Sequence, residues 1–486
     1  MRIDYHAILP ELILSGTILL VLVTDSFARP RRKWVAMPVS FLGILAALIA
    51  TLTLIGSDRT TFNGMFVVDN FALLFKVFFL SVALLVLLVS LRYFSDGRWY
   101  QGEYYFLLLT SFLGCILMPS SRDLLMLFIS LELVSAPGFL IVAFRNSDPR
   151  SNEAGIKFFL FGVLSSAVML YGMSLIYGVT GQTNLTGIGR SLSGTLPQGQ
   201  ETLVLAAILF IVAGFAFKVS AFPFQFWAPD TYEGSPVPVA AFLATASKAA
   251  GFAGLLQLMF VAFAATSEFW TPIFAALSVF TMTVGNLVAL QQRQIVRLLA
   301  YSSIAQAGYM LLPFALVSGD QAVNKAAFAA ATTYILIYAV MTLGAFAVVI
   351  AMTRESSSLL ISDFAGLARR APVLGIGMIV FMVSLGGVPP TGGFWAKFFV
   401  FTAAISRGGL GPGLAVIMVL NSVVSLYYYL RVAREVVFVE PRVERPPASP
   451  ALVTGVAALA TFAILAIGIY PELLAHFPPL STLAGP

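Results

Sequence analysis

The stretch SLGGVPPTGGFWAKFFVF, residues 384–401, decides how this chain is read. It lies inside an apolar run, yet it holds four glycines, two adjacent prolines and one lysine. Proline lacks a backbone donor and disrupts the preceding helical turn, while glycine loosens the backbone, so a helix is expected to break here. Within a bilayer, unwound backbone is tolerated only beside protein or water. The stretch therefore predicts a discontinuous helix opened by Gly386, Gly387, Pro389, Pro390, Gly392 and Gly393, with Lys397 standing beside a hydrated interior.

The whole chain fits that setting. Of 486 residues, 59% are hydrophobic and only 10% charged, which excludes an ordinary soluble domain and marks an integral membrane protein. A single cysteine, Cys115, gives no disulfide framework. The two histidines, His6 and His476, lie near the termini and form no cluster with metal-ligand spacing. Haem, zinc and iron–sulfur centres are not expected on this chain. The longest polar stretches, near 182–201 and 439–450, are too short for a nucleotide-binding domain, and neither a Walker-type loop nor a GxGxxG turn is present. In a redox enzyme, the electrons would run elsewhere.

Apolar runs of about 17–25 residues read as membrane spans. Fourteen are expected, near 7–25, 34–55, 67–91, 104–118, 122–144, 154–180, 202–229, 236–264, 268–290, 296–316, 326–352, 372–402, 411–438 and 451–473. The first holds Glu11, is followed by RPRRK and shows no small-residue cleavage site, so it reads as a retained helix. Lysine and arginine concentrate in cytoplasmic loops. Loops after odd-numbered spans hold eighteen of them, including Arg29, Arg31, Arg32, Lys33, Arg369 and Arg370, against six on the other side. Both termini are thus expected outside the cytoplasm. The net charge of +6 is this orientation signal and not a nucleic-acid surface.

Four of the 28 basic residues remain inside spans: Lys76, Lys218, Lys248 and Lys397. A charge at the bilayer centre costs about 2.5–3.5 kcal/mol on insertion scales, so such residues face protein or water and mark ion paths. Lys76 lies some nine residues from the outer end of its span, where a long stem reaches towards the headgroups, and is not assigned to a path. Lys248, in AAFLATASKAAGF, is twelve residues deep among small neighbours that permit close helix packing. Lys218 precedes Pro223 by five residues, and a second helix break is expected there. Glu132 is the acidic counterpart, about ten residues beyond Arg122, whereas Glu11, Asp25 and Asp69 read as interfacial. With a lysine nearby, Glu132 would form a switchable proton store, the alternative being a structural tie between helices.

The two breaks resemble one another, since PFQFW at 223–227 and PTGGFWAK at 390–397 each place a Phe-Trp pair after proline. Trp227 and Trp395 are 168 residues apart, close to the interval between the starts of spans four and nine. Spans four to eight are therefore expected to repeat as nine to thirteen, and five spans per unit forces opposite orientations. Inverted repeats with broken helices meeting near the midplane are characteristic of transporters. The expected fold is all-α and integral to the membrane, with about fourteen transmembrane helices and two inverted five-helix repeats, each containing a discontinuous helix. Its parts are three N-terminal helices over 1–100, repeats over 101–266 and 267–438, and a loop with span fourteen over 439–486.

LPELIL at 9–14, SLEL at 130–133, FKVSAFPFQFWAPDTYEGSP at 217–236, ASKAAGF at 246–252 and SLGGVPPTGGFWAKF at 384–398 resemble the subunit N family of proton-pumping NADH:quinone oxidoreductase, respiratory complex I. The resemblance runs through essentially the whole chain. That family belongs to the antiporter-like group, whose fourteen-helix fold is shared with multi-subunit cation/proton antiporters. The resemblance implies that Glu132 and Lys218 are a charge pair on spans five and seven, Lys248 a central relay on span eight, and Lys397 an exit-side group on span twelve. It implies NADH, FMN, iron–sulfur clusters and quinone in partner subunits, with none bound by this chain. It also implies other complex I membrane subunits as partners, especially neighbouring antiporter-like and small ones, in the lipid of a bacterial inner membrane.

A proton wire needs hydroxyls and water between its ionisable groups. The candidates are Tyr301, Ser302, Ser303 and Gln306 on span ten, and Thr332, Thr333, Tyr334 and Tyr338 on span eleven, although isolated polar residues also serve as helix glue. The expected function is proton translocation driven by quinone reduction in partner subunits. Two alternatives stand beside it: a subunit of a multi-subunit cation/proton antiporter, and a membrane scaffold whose lysines are only ties.

Overall fold

The computed structural model of the chain describes residues 3–27, 35–94, 101–194, 200–356, 358–441, 445–447 and 449–475. The basic run at 29–33 and His476 lie outside the described residues. In chain order the helices are α1 Leu9–Phe27, α2 Ala36–Leu52, α3 Asn70–Phe94, α4 Gln101–Leu117, α5 Leu124–Val142, α6 Pro149–Thr180, α7 Leu185–Leu192, α8 Gln200–Val219, α9 Trp227–Gly234, α10 Val237–Phe242 and α11 Lys248–Gln257. They continue with α12 Ser267–Ala289, α13 Ile295–Leu311, α14 Gln321–Met352, α15 Leu367–Arg370, α16 Pro372–Gly386, α17 Gly392–Arg407, α18 Gly411–Phe438, α19 Ala451–Ile469 and α20 Glu472–Ala475. Among the described residues twelve helical stretches are long and apolar enough to cross a membrane, and two shorter apolar helices, α2 and α16, fill the remaining places. The fourteen expected crossings are thus accounted for, two of them interrupted.

Polar residues set the helix starts. Asp123, Asp148 and Asp320 each accept a hydrogen bond from the backbone two residues on, at α5, α6 and α14, which satisfies donors the helix leaves free. Gln294 does the same for α13 through the amide of Arg297. Small residues set the spacing between helices. A Cβ on Gly285 would lie 2.5 Å from the backbone nitrogen of Ala305, and one on Gly308 would lie 2.4 Å from that of Met282, so α12 and α13 pack backbone to backbone.

The stretch Val237–Met259, which carries Lys248, is buried throughout, and α14 is buried over most of its second half. They form the axis around which the other crossings pack. α6 lies at the rim, exposing Ile156, Phe159, Leu160 and Leu164. One element departs from the all-helical expectation: Arg59–Thr61 and Phe66–Val68 form an antiparallel hairpin between α2 and α3, with Arg59 opposite Val68 and Thr61 opposite Phe66. Three-residue strands alternating with polar positions carry no helical periodicity and too little apolar length for a span reading to detect.

Candidate functional site

Both breaks form where proline and glycine place them. α8 ends at Val219 and α9 starts at Trp227, with Pro223 between them; the Trp227 indole donates 3.0 Å back to the carbonyl of Phe217 and so folds the second half against the first. α16 ends at Gly386 and α17 starts at Gly392. Gly387 takes a positive φ of 86°, which glycine alone adopts freely. A Cβ on Gly393 would lie 1.9 Å from the carbonyl oxygen of Ser384, whose hydroxyl accepts from the Gly393 amide at 2.9 Å. Pro389 and Pro390 occupy the unwound stretch, while Gly386, Gly392 and Gly393 end and begin the flanking helices.

Three of the four span lysines stand at or near these breaks and at the axis. Lys218 is 4% exposed in the last turn of α8, and its Nζ donates to Ser135 Oγ at 2.9 Å. Lys397 is 7% exposed; its Nζ donates to the carbonyl of Gly386 at 2.9 Å and to Ser422 Oγ at 2.7 Å, and lies 4.9 Å from the centre of the Tyr309 ring. The ammonium of Lys397 therefore lies at the carbonyl end of a half-helix, where the macrodipole favours positive charge. Lys248, 2% exposed, begins α11 directly after a π-helical turn, Leu243–Ser247, and donates to the carbonyl and hydroxyl of Ser303 at 2.9 and 3.0 Å. Such a turn widens the helix and is frequent at functional sites.

Between Lys248 and Lys397 lies a row of polar groups, joined by hydrogen bonds within its middle part and by chain adjacency at Ser302–Ser303 and at Leu385–Gly386. Ser303 is followed back by Ser302, whose hydroxyl is 2.5 Å from that of Tyr429. Gln306 donates to Tyr429 at 3.1 Å and to the carbonyl of Leu385 at 3.0 Å, and accepts from Tyr334 at 2.6 Å. Leu385 adjoins Gly386, which holds Lys397. All of these side chains are buried. Beside them Asn286 donates to Tyr309 and Asn421 and accepts from Tyr428, tying α12, α13 and α18 together.

Of the eight candidate water-path residues, the structure brings together Ser302, Ser303, Gln306, Tyr334 and Tyr338. Tyr301 and Thr333 are only half-buried, and Thr332 bonds back to the carbonyl of Phe328 in its own helix. Tyr428 and Tyr429 were missed, although the YYY run at 427–429 was visible; three consecutive tyrosines on a helix do not reveal which faces inward.

Glu132 and Lys218 are not in direct contact. Glu132 is half-buried on α5 and accepts from Ser166 of α6, while Lys218 bonds Ser135, one turn along α5 on the same face as Glu132. The stem of Lys218 lies against Gly251, where a Cβ would meet it at 3.0 Å, and Gly251 is one turn beyond Lys248. Lys76 is enclosed by protein and holds an acidic partner. It is fully buried, with Nζ 2.8 Å from Glu11 Oε1 and 4.6 Å from the centre of the Phe66 ring. Asp69 is buried too: it pairs with Arg122 at 2.6 Å, and Arg122 also donates to Gln257 at the end of α11.

Residues 121–425 match the family described as NADH:quinone oxidoreductase/Mrp antiporter, TM. The chain is 42% identical over 431 residues to the NADH-quinone oxidoreductase subunit N of Trichlorobacter lovleyi, covering 88% of this chain and 87% of that one. It is 41% identical to the NAD(P)H-quinone oxidoreductase subunit 2 of Synechocystis, covering 91% and 84%. Among solved structures, a chain of respiratory complex I from Thermus thermophilus superposes with a TM-score of 0.81 at 33% identity, covering 97% of this chain and 99% of that one. A chain of the Mrp complex from Dietzia superposes at 0.86 and 20% identity, covering 99% and 98%, a likeness of fold alone.

Proposed function

We propose, from the premise that this chain belongs to the NADH:quinone oxidoreductase/Mrp antiporter family of membrane subunits, that it is a proton-translocating membrane subunit of an NADH:quinone oxidoreductase. Lys248 is the central station. It receives a proton and passes it along Ser302, Ser303, Tyr429 and Gln306 to Lys397, which holds it at the carbonyl end of α16. Lys218 and Glu132 form the second station. Ser135, which holds Lys218, lies one turn of α5 from Glu132, and this lets Lys218 turn between a hydroxyl and a carboxylate as charge moves nearby.

The observation that carries this reading is the row of buried polar groups between Lys248 and Lys397, hydrogen-bonded from Ser302 through Tyr429 and Gln306 to the carbonyl of Leu385. Neither terminus of that line needs a cofactor; NADH, FMN, iron–sulfur clusters and quinone are assigned to partner subunits, whose reaction drives this chain through neighbouring charges. The partners are other complex I membrane subunits, antiporter-like and small ones among them, in the lipid of a bacterial inner membrane with both termini outside the cytoplasm. Residues 101–266 and 267–438 are assigned as the two inverted repeats. The antiporter alternative has the shared fold in its favour, whereas relatives near 40% identity are named as quinone oxidoreductase subunits.

The test is to replace Lys248 or Lys397 with alanine in the assembled complex and to measure proton flux per NADH oxidised. Loss of flux with intact assembly is expected. Normal flux removes the relay, and loss of assembly before flux favours the scaffold.

A further inference from the structure

Lys397 ends the relay without a carboxylate. Among the described residues no acidic side chain pairs with it, and its ammonium is met by a carbonyl, a hydroxyl and an aromatic face. The carbonyl oxygen of Gly386 lies 2.9 Å from Nζ and the hydroxyl oxygen of Ser422 lies 2.7 Å from it. Ser422 donates its own hydrogen to the same Gly386 carbonyl at 3.1 Å, so towards Lys397 it only accepts. Gly387 closes another side, since a Cβ there would come within 3.3 Å of Nζ. The nitrogen stands over the ring of Tyr309, 4.9 Å from its centre. Lys218 and Lys248 differ: each is held by a serine, and neither stands over a ring among the described residues.

The ring is held in place. Tyr309 is completely buried on α13; its oxygen accepts from Asn286 Nδ2 of α12 at 3.1 Å, and its ring stacks with that of Tyr334 of α14, centroids 6.4 Å apart. Tyr334 in turn donates to Gln306 of the relay at 2.6 Å. A ring so fixed presents its face to Lys397 whatever the charge on the nitrogen. An ammonium has three N–H donors, and Gly386 and Ser422 take two of them. The third is left for the ring, whose negative face attracts a cation. A neutral amine has two N–H donors and a lone pair. With both donors on the same two oxygens, the lone pair faces the ring and negative meets negative. The site thus tells the two states of one lysine apart without a second charge.

We propose, resting on the relay above, that Tyr309 is a positioning residue for proton transfer: its ring face receives the third N–H of Lys397, steadies the ammonium at the carbonyl end of α16 and turns the amine away. When Lys397 gives up its proton, one N–H bond breaks and the lone pair is left against the ring. The stem then swings and the nitrogen leaves the site. Gaining a proton brings it back. Tyr309 itself neither gives nor takes a proton.

The test drains negative charge from the ring face while nearly keeping its size. In the intact complex in sealed vesicles, Tyr309→Phe is the reference, and the same position is filled by stop-codon suppression with phenylalanines carrying one, two or three ring fluorines. Each fluorine weakens the attraction of the face for a cation. Lys397→Ala sets the full loss. The ring contact predicts that proton flux per NADH oxidised falls stepwise with fluorine number at equal melting temperature, three fluorines losing at least half of what Lys397→Ala loses. Equal flux across the series, with Lys397→Ala defective, makes the ring mere packing, overturns the proposal and leaves the relay standing. Normal flux in Lys397→Ala overturns the relay itself. If Tyr309→Phe does not assemble, the series is built on fluorinated tyrosines, which keep the bond to Asn286, and equal flux across that series overturns the contact.

Discussion

The ammonium nitrogen of Lys397 lies 2.9 Å from the carbonyl oxygen of Gly386, eleven residues back and across the break in the helix. The unwound stretch thus turns the end of one half-helix towards a cation carried by the next. Prolines and glycines in the middle of a span make that approach possible, and Lys218 sits in the last turn of α8, just before the other break.

Gly387 controls this contact. An alanine there would take a positive φ at a cost of about 1–2 kcal/mol, and its Cβ would lie 2.7 Å from Lys397 Cδ. Gly387→Ala is expected to lower the melting temperature of the purified complex and to reduce proton flux per assembled complex. Gly455→Ala, with nothing within 4 Å of its added carbon, is the control and should melt like the unaltered protein. Equal flux in Gly387→Ala would separate Lys397 from the break.

Tyr429 is the junction between the middle and the end of the relay, bonded to Ser302 and to Gln306. Tyr429→Phe removes both bonds while keeping the ring, a loss of about 1 kcal/mol per bond. Assembly should survive and proton flux should fall, with quinone reduction retained. Unchanged flux would mean that protons move from Lys248 to Lys397 by a route without this hydroxyl.

Glu11 and Lys76 make a buried pair far from the relay in sequence, and breaking one side leaves the other charge uncompensated. Removing one partner of such a pair costs about 3–5 kcal/mol, whereas replacing both by apolar groups is often neutral. Lys76→Met and Glu11→Leu should each lower the melting temperature and the amount of assembled complex. The double replacement should recover both, and flux per assembled complex should stay normal throughout. A pumping defect in a well-assembled double variant would place this pair on a proton path.

Span count, the two breaks and the buried lysines were legible because each opposes the local apolar pattern: a lysine or a proline inside twenty apolar residues has few explanations in lipid. Partner choice was not legible. Lys76 stands near a span end, so its position along the sequence alone suggests an outward stem, and only the tertiary fold, with α1 against α2 and α4 and both of these against α3, brings Glu11 within 2.8 Å. Asp69 reads as interfacial and Arg122 as the entry to span five for the same reason, yet Gln257, more than a hundred residues away from Arg122, closes a buried clamp with them. The hydroxyl line depended on which face of α13 and α18 turns inward, and helices apolar on all sides carry no periodicity from which to read it.

Ser135 decides where Lys218 spends its charge. Its hydroxyl holds the ammonium at 2.9 Å, one turn from Glu132 on the same face of α5, while Ser166 occupies the carboxylate. Attraction between opposite charges rises as they approach and as water is excluded, so without the hydroxyl Lys218 is expected to swing to Glu132 and remain there. Ser135→Ala should therefore slow pumping, and Ser135→Thr, which keeps the hydroxyl, should restore it. A structure of the alanine variant should show Lys218 Nζ in ion-pair contact with Glu132. If the alanine variant pumps normally and its lysine stays in place, the serine is packing and not a step between the two charges.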